Sequence, residues 1–481
     1  MKTSSYNLVM SAMFNGRKGE RPPVGNPTSI VCHGLMDAAG VSFPEAHLDA
    51  NAMADLALAG HEILGFDTVM PEYSVQQEGA ALGCVVDWGN RDRMPDNKNF
   101  PYEDFSDVVV PDHLLEKPSM KVVLEALSIL RRQVGGKVAI VGKVMGPWTL
   151  SYHMAGTQNF LLQIGMGETE KVTKMLRQLM PVTIAFAQAQ FQAGADIVVM
   201  ADHVTGNLVG PYHYKELLLP IHQQITEQVK GPLILHVCGD CSDRLEYFAQ
   251  SGVDAYHMEW QVDAKMAVEK IGQRVSLVGN VNNPQVLYQG TSEDVHQQVR
   301  YAIAAGVNII GPECAIPLST PLENLRAIVE AAHEAVLGRD HEKHARRLGL
   351  LRRVGPFGER RDLADRALDH CAQGARPALR FLRLAHARGR HGPQRAHEIA
   401  QFAKAFQPRL DAGELLHQPS SSDASPDRHS PMRVRSWPRA SSESAPVSSM
   451  ACAARGRSRG SRAQLCSVIT SSRQSASRRQ W

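Results

Sequence analysis

Between about residues 22 and 338, short apolar, β-rich runs alternate with longer stretches whose apolar positions recur at helical spacing. That is the pattern of parallel strands joined by helices. Eight runs read as strands, near Pro23-Val24, Phe66–Met70, Val138–Val144, Asp196–Met200, Pro232–Val237, Asp254–Met258, Val275–Val278 and Val307–Ile310. Four helical stretches end in glycine just before a strand, in HEILGFD, FQAGADI, FAQSGVDAY and AIAAGVNII, as a helix C-terminus favours. Eight such units predict a closed (β/α)8 barrel, the TIM-barrel architecture. The Pro23-Val24 run is the weakest; without it the count is seven, and a doubly wound open sheet competes.

Two helices carry further signals. In STPLENLRAIVEAAHEAV, Thr320 is placed to cap, Pro321 to take the first helical position and Glu323 to stand three residues after the cap. Residues 171–193 have helical period, with Pro181 expected to break or kink them.

Charge divides the chain where the periodicity stops. Residues 1–340 hold 25 Lys+Arg against 38 Asp+Glu, a balance of −13, whereas residues 341–481 hold 27 against 11, a balance of +16. The barrel domain is therefore expected to span 1–340. The remainder, 341–481, reads as a disordered or irregular Arg/Ser-rich tail, because its apolar content is too low to offset chain entropy. Its basic residues are almost all arginine, as translation of a GC-rich gene in a shifted frame would give. Contact of this tail with nucleic acid is the weaker reading. No stretch approaches the roughly 18 apolar residues of a membrane span, and the N-terminus lacks a secretory apolar core, so a cytoplasmic protein is expected.

Eight cysteines without a regular framework suit metal binding or free thiols better than disulfides. His236 and Cys238 end the fifth run, in LHVCG, where alternation turns both side chains to one face. Cys314 follows the eighth run. In a closed barrel all three reach the C-terminal rim, where barrel enzymes keep their active sites. Three ligands that include thiolate leave zinc a fourth position for substrate. Cysteine is also a common small buried side chain, so spacing alone leaves both readings open.

Other rim residues carry two readings each. Cys241 completes Cys-x-x-Cys with Cys238 and is a redox partner, a substitute ligand or an ordinary loop thiol. Asp202 and His203 are candidates for substrate contact or proton handling, against a polar loop cap. Glu259, Asn280 and Asn282 are expected to line the pocket. Cys32 with His33, and Tyr152 with His153, are either site residues or ordinary loop residues.

RPPV near the start, GPWTL after the third run, AGADI at the fourth, HVCG at the fifth, GNVN at the seventh and GPECAIPLSTPLENL at the eighth together resemble the uroporphyrinogen decarboxylase superfamily of (β/α)8 barrels. The resemblance covers residues of about 5–338. Within it, His236, Cys238 and Cys314 are similar to the zinc ligands of the cobamide-dependent methyltransferase branch. What this implies is a zinc-dependent, corrinoid-linked methyltransferase acting between cobalt and a thiol or other small methyl donor or acceptor. Departures from the decarboxylase branch point the same way. GNPTSIVCHG after RPPV lacks the arginine that would grip porphyrinogen carboxylates, and Pro312-Glu313-Cys314 replaces a GHG-type motif. Uroporphyrinogen decarboxylation is the alternative activity. A corrinoid domain would show DxHxxG, whereas ALDHCAQG sets Asp369 beside His370. A separate corrinoid protein is the implied partner.

Overall fold

The computed structural model describes residues 3–14 and 21–347, with side chains as far as residue 335. Most of the expected tail, including His370, lies outside the described residues. The last described helix, Leu322–Arg347, runs past the boundary expected at 340.

Seven parallel strands form one sheet: β1 (Thr68–Val69), β4 (Ala139–Met145), β5 (Ile197–Ala201), β6 (Leu233–Val237), β7 (Ala255–Met258), β8 (Ser276–Val281) and β9 (Ile309–Pro312). Their spatial order follows chain order, with no point of reversal such as a doubly wound sheet requires. The expected first strand shrinks to one bridge, Val24 to Ile310. Pro22 and Pro23 have no N–H to offer a ladder, which keeps the segment short.

That short segment nevertheless touches both edges of the sheet. Gly25 N–H donates to Ile310 O at 2.9 Å, Ile310 N–H to Pro23 O at 2.9 Å, and Asp67 N–H to Val24 O at 2.7 Å. Arg21 holds the Asp67 carboxylate with two bonds of 2.6 and 2.7 Å, and Val24 N–H donates to it at 2.8 Å. The ring is thereby closed as a TIM-type barrel.

Alternation along the strands sorts the interior into layers. Ala139, Val141, Ile197, Val199, Ile234, Ala255, Val278 and Ile309 form one buried apolar cluster with Val9, Ala12 and Met13 of the Ser5–Phe14 helix, which packs beneath the barrel. Ser276 Oγ bonds the Ala12 and Met13 carbonyls at 3.0 and 2.7 Å, fixing that helix. The next inward positions are Lys143, Ala201, His236, His257, Asn280 and Gly311, so the interior turns polar toward the C-terminal rim.

The glycine signals are met: Gly194 and Gly306, at φ of 121° and 113°, end the Thr169–Ala193 and Ser292–Ala305 helices. Two helix expectations need correction. Thr169–Ala193 runs through Pro181 without a break, its apolar face (Leu179, Val182, Phe186) wholly buried. The last helix starts at Leu322, and the buried Thr320 hydroxyl has no partner among the described residues, so it does not cap. A hairpin of β2 (Val86–Asp87) and β3 (Asp96–Asn97) was not foreseen, since its two-residue strands show no alternation. Among the described residues, no helix is long and apolar enough to cross a membrane.

Candidate metal centre

The strand ends bring the three predicted ligands together. His236 Nε2 lies 3.1 Å from Cys238 Sγ and 3.4 Å from Cys314 Sγ, and the two sulfurs are 3.4 Å apart. Among the described residues this is the only His/Cys/Asp/Glu group compact enough to share an ion. Ligands about 2.0–2.3 Å from a tetrahedral zinc stand roughly 3.5 Å from one another, so the triangle fits that ion closely.

Neighbouring groups hold each corner. His236 Nδ1 meets the His257 carbonyl at 3.3 Å, which favours the proton on Nδ1 and leaves Nε2 for a metal. His257 Nε2 in turn meets the Pro312 carbonyl at 2.9 Å, tying β7 to the strand end that carries Cys314. Asn26 Nδ2 donates to the Cys314 carbonyl at 2.9 Å. After Cys238 the chain turns at Gly239, whose φ is 79° and where an added Cβ would clash with Thr205 Oγ1.

The thiols are chemically unequal. A hydrogen bond from Cys238, then the charge of His236, lowers the Cys314 thiol well below its ordinary range against opposing burial, while the same bond and burial push Cys238 up. Burial, the largest single influence, disfavours the His236 cation, but the charge and hydrogen bond of Cys314, the His257 carbonyl and the Glu259 charge together raise the imidazole. Two sulfurs, one of them lowered, and an imidazole with Nε2 turned to them make a soft-metal donor set.

A cavity of about 400 Å³ opens against the triangle, lined by His236, Cys238 and Cys314 at one side and by Tyr73, Tyr152, His153, His203 and Lys143 around it. Asp96 and Asn97 of β3, with Phe100, line it as well. Corrinoids are too large for this volume; a small molecule fits.

The other candidates separate on inspection of their partners. Asp202 lines the cavity but accepts from Thr149 N–H at 2.7 Å and bonds the buried His222 at 2.9 Å, so it acts as the cap of the Pro147–Ala155 helix. His203 faces the cavity, its imidazole lowered by burial and then by His236. Tyr152 accepts from Trp148 Nε1 at 2.7 Å, and His153 is lowered by burial to about 4.

Asn280 and Asn282 do not line the cavity as expected. Asn280 Nδ2 holds the Glu259 and Val262 carbonyls at 3.1 and 2.8 Å, and Asn282 Oδ1 takes Gln285 N–H at 2.8 Å. Glu259 stands outside the lining too, its carboxyl raised by burial and by the Cys314 charge. Cys241 is buried, pushed up to about 12 by burial, and faces the Cys238 carbonyl at 3.9 Å rather than joining the triangle. Cys32 precedes the His33–Ala39 helix, and His33 pairs with Asp92 at 3.1 Å, so these two form no second metal site.

Sequence reasoning missed a buried polar group beside the cavity: Lys143, Glu72 and Glu78, with His47 nearby. A lysine at an inward phase of the apolar run VAIVGKV was the available signal. Glu313 was also missed; it accepts from Trp260 and Asn283 N–H, both at 2.8 Å, and burial pushes it up to about 7.

A closed parallel barrel with a His-Cys-Cys triangle at its C-terminal rim has a candidate soft-metal donor set where barrel enzymes keep their active sites. The chain belongs to the uroporphyrinogen decarboxylase (URO-D) family, whose model matches residues 6–335. It is 33% identical to the methylated-thiol–coenzyme M methyltransferase of Methanosarcina mazei, over 71% of this chain and 93% of that one. Identity to the methylcobamide:CoM methyltransferase MtaA of Methanosarcina barkeri is 32%, over 69% of this chain and 99% of that one. A solved methyltransferase from Methanosarcina mazei superposes with a TM-score of 0.66 at 32% identity, covering 69% of this chain and 99% of that one. The uroporphyrinogen decarboxylase of Nostoc punctiforme matches only 45% of this chain, at 31% identity.

Proposed function

We propose that this chain is a zinc-dependent methyltransferase that moves a methyl group between the cobalt of a corrinoid, carried by a separate protein, and a small thiol. The observation that carries the reading is the His236–Cys238–Cys314 triangle facing a small-molecule cavity at the barrel rim. The likeness to methylcobamide-dependent relatives along nearly their whole length supports it.

Zinc held by His236, Cys238 and Cys314 would supply a Lewis acid that keeps a substrate thiol as thiolate near neutral pH. The chain does the rest by placement. The His257 carbonyl fixes the His236 ring, and the cavity walls confine a small thiol beside it. A methyl-corrinoid would supply a weak cobalt–carbon bond whose electron pair would stay with the corrinoid as the methyl group passed to the sulfur held at His236, Cys238 and Cys314. The cavity volume requires the corrinoid to present its methyl group from outside, at the rim.

Decarboxylation of uroporphyrinogen fits less well. Its substrate carries many carboxylates, whereas among the described residues no arginine lines this cavity and one lysine does. Metal analysis of the purified chain should find about one zinc. Transfer from methylcobalamin to thiols is followed by cobalamin absorbance. A Cys314→Ser protein retaining full zinc and full transfer would overturn the proposal, as would decarboxylation that persists in chelator.

A further inference from the structure

The structure assigns a further subsite in the cavity to Gln76, Asp96, Asn97 and His153: it takes a protonated amine, so the small thiol is one that carries an amino group. The inference rests on the methyltransferase reading and narrows its substrate class.

Three stretches of chain build this wall. Gln76 precedes the Gln77–Ala81 helix without capping it, Asp96 and Asn97 form β3, and His153 belongs to the Pro147–Ala155 helix. All four line the cavity that His236, Cys238 and Cys314 also line. Gln76 is 6% exposed, and its Oε1 is buried with no partner among the described residues. Asn97 Oδ1 and His153 Nδ1 are buried without one as well. Gln76 Oε1 and His153 Nδ1 each stand 3.5 Å from the place a Cβ on Gly79 would take, so the two are neighbours in the wall. Asp96 is near enough to act on the His153 ring through space. Among the described residues its carboxylate makes no ion pair and accepts only Asn97 N–H, at 2.9 Å.

Every unmet group here seeks a proton. Amide oxygens only accept, and the His153 ring, kept neutral by burial, has one nitrogen lone pair to offer. Buried acceptors left unmet cost free energy. A primary ammonium brings three donors and the charge opposite to Asp96. A hydroxyl brings one donor and no charge, and a carboxylate or sulfonate brings no donor at all. With its sulfur at the triangle and its amine at this wall, an aminothiol is held at two points and turned for transfer.

The test follows methyl transfer from methylcobalamin to thiols paired so that only the amine differs: cysteamine against ethanethiol, and cysteine against 3-mercaptopropionate. Lys143, the one lysine of the lining, acts alike on both members of the second pair. In each pair the amine-bearing thiol should have the higher kcat/KM. Asp96→Asn, at an exposed position, and Gln76→Met, nearly isosteric, should each cut that ratio roughly 3- to 10-fold, mostly through KM. Wild-type indifference to the amine, or ratios that neither variant lowers, would overturn the assignment. Asp96→Asn decides alone if Gln76→Met does not fold.

A second readout needs no turnover. 2-(Methylthio)ethylamine, which has no sulfhydryl, should raise the melting temperature of the wild-type chain more than that of Asp96→Asn, and 2-(methylthio)ethanol should raise neither. Absence of any wild-type shift with the amine would remove the subsite. If the shift appears while no thiol is methylated, the amine subsite stands and the methyl-transfer reading falls.

Discussion

His236 and His257 stand opposite one another in register across β6 and β7, their rings 4.6 Å apart, and the carbonyl of His257 meets His236 Nδ1 at 3.3 Å. The same His257 reaches Pro312 O with its own Nε2 at 2.9 Å. One residue thus positions the imidazole corner and steadies the strand end that delivers a sulfur corner. His257→Phe keeps the backbone carbonyl but leaves Pro312 O unpaired. It should weaken zinc binding about 10- to 100-fold in competition with a chromophoric chelator, with the barrel still folded. Unchanged affinity would show that the side chain has no part in the site.

The neighbouring cysteines should behave differently. Cys238→Ser is expected to lose most bound zinc on dialysis, and Cys241→Ser to keep it, because only Cys238 stands in the triangle. Zinc per chain by atomic absorption decides. Loss in both variants would place Cys241 among the ligands.

Asp202 sits in the cavity wall yet works for the fold. Its carboxylate takes the Thr149 N–H and pairs with His222, which bonds Tyr214 Oη at 3.0 Å. Asp202→Ala strands these donors and should destabilise the chain by roughly 3 kcal/mol, read from the urea midpoint. Zinc content of the folded fraction should not change.

Glu78 gives a pH dependence whose sign can be worked out. Burial first, against hydrogen bonding to Met145 N–H, pushes its carboxyl up to about 7 from the ordinary glutamate range. The folded state therefore holds this proton more tightly than the unfolded chain. The contribution is complete below about pH 4.5 and is lost as pH rises through about 7, a change on the order of 3 kcal/mol. Glu78→Gln should remove it, so the variant gains on the wild type between pH 5 and pH 8. Parallel stability curves over that range would contradict the burial argument.

The repeating barrel units and the convergence of His236, Cys238 and Cys314 are legible because each rests on local pattern. Alternation in LILHVC aims His236 and Cys238 alike, and glycines such as Gly194 and Gly306 mark where helices hand over to strands. What escaped depends on neighbours distant in sequence. The Val24 strand shrinks to a bridge because prolines precede it, and the β2–β3 hairpin is too short to show a period. Asn280 looked like a pocket residue from its rim position, but its amide is spent on two backbone carbonyls. Lys143 was visible as a charge in an apolar strand; its lack of a counterion appears only once the cavity does.

With the Ser5–Phe14 helix plugging its lower end, the barrel is a cul-de-sac. Traffic must use one door. A corrinoid protein seated on that door would block it, so the small molecule has to be loaded before docking and discharged after departure. Steady-state kinetics should accordingly follow a compulsory sequence, thiol first, and random addition would mean a second way in.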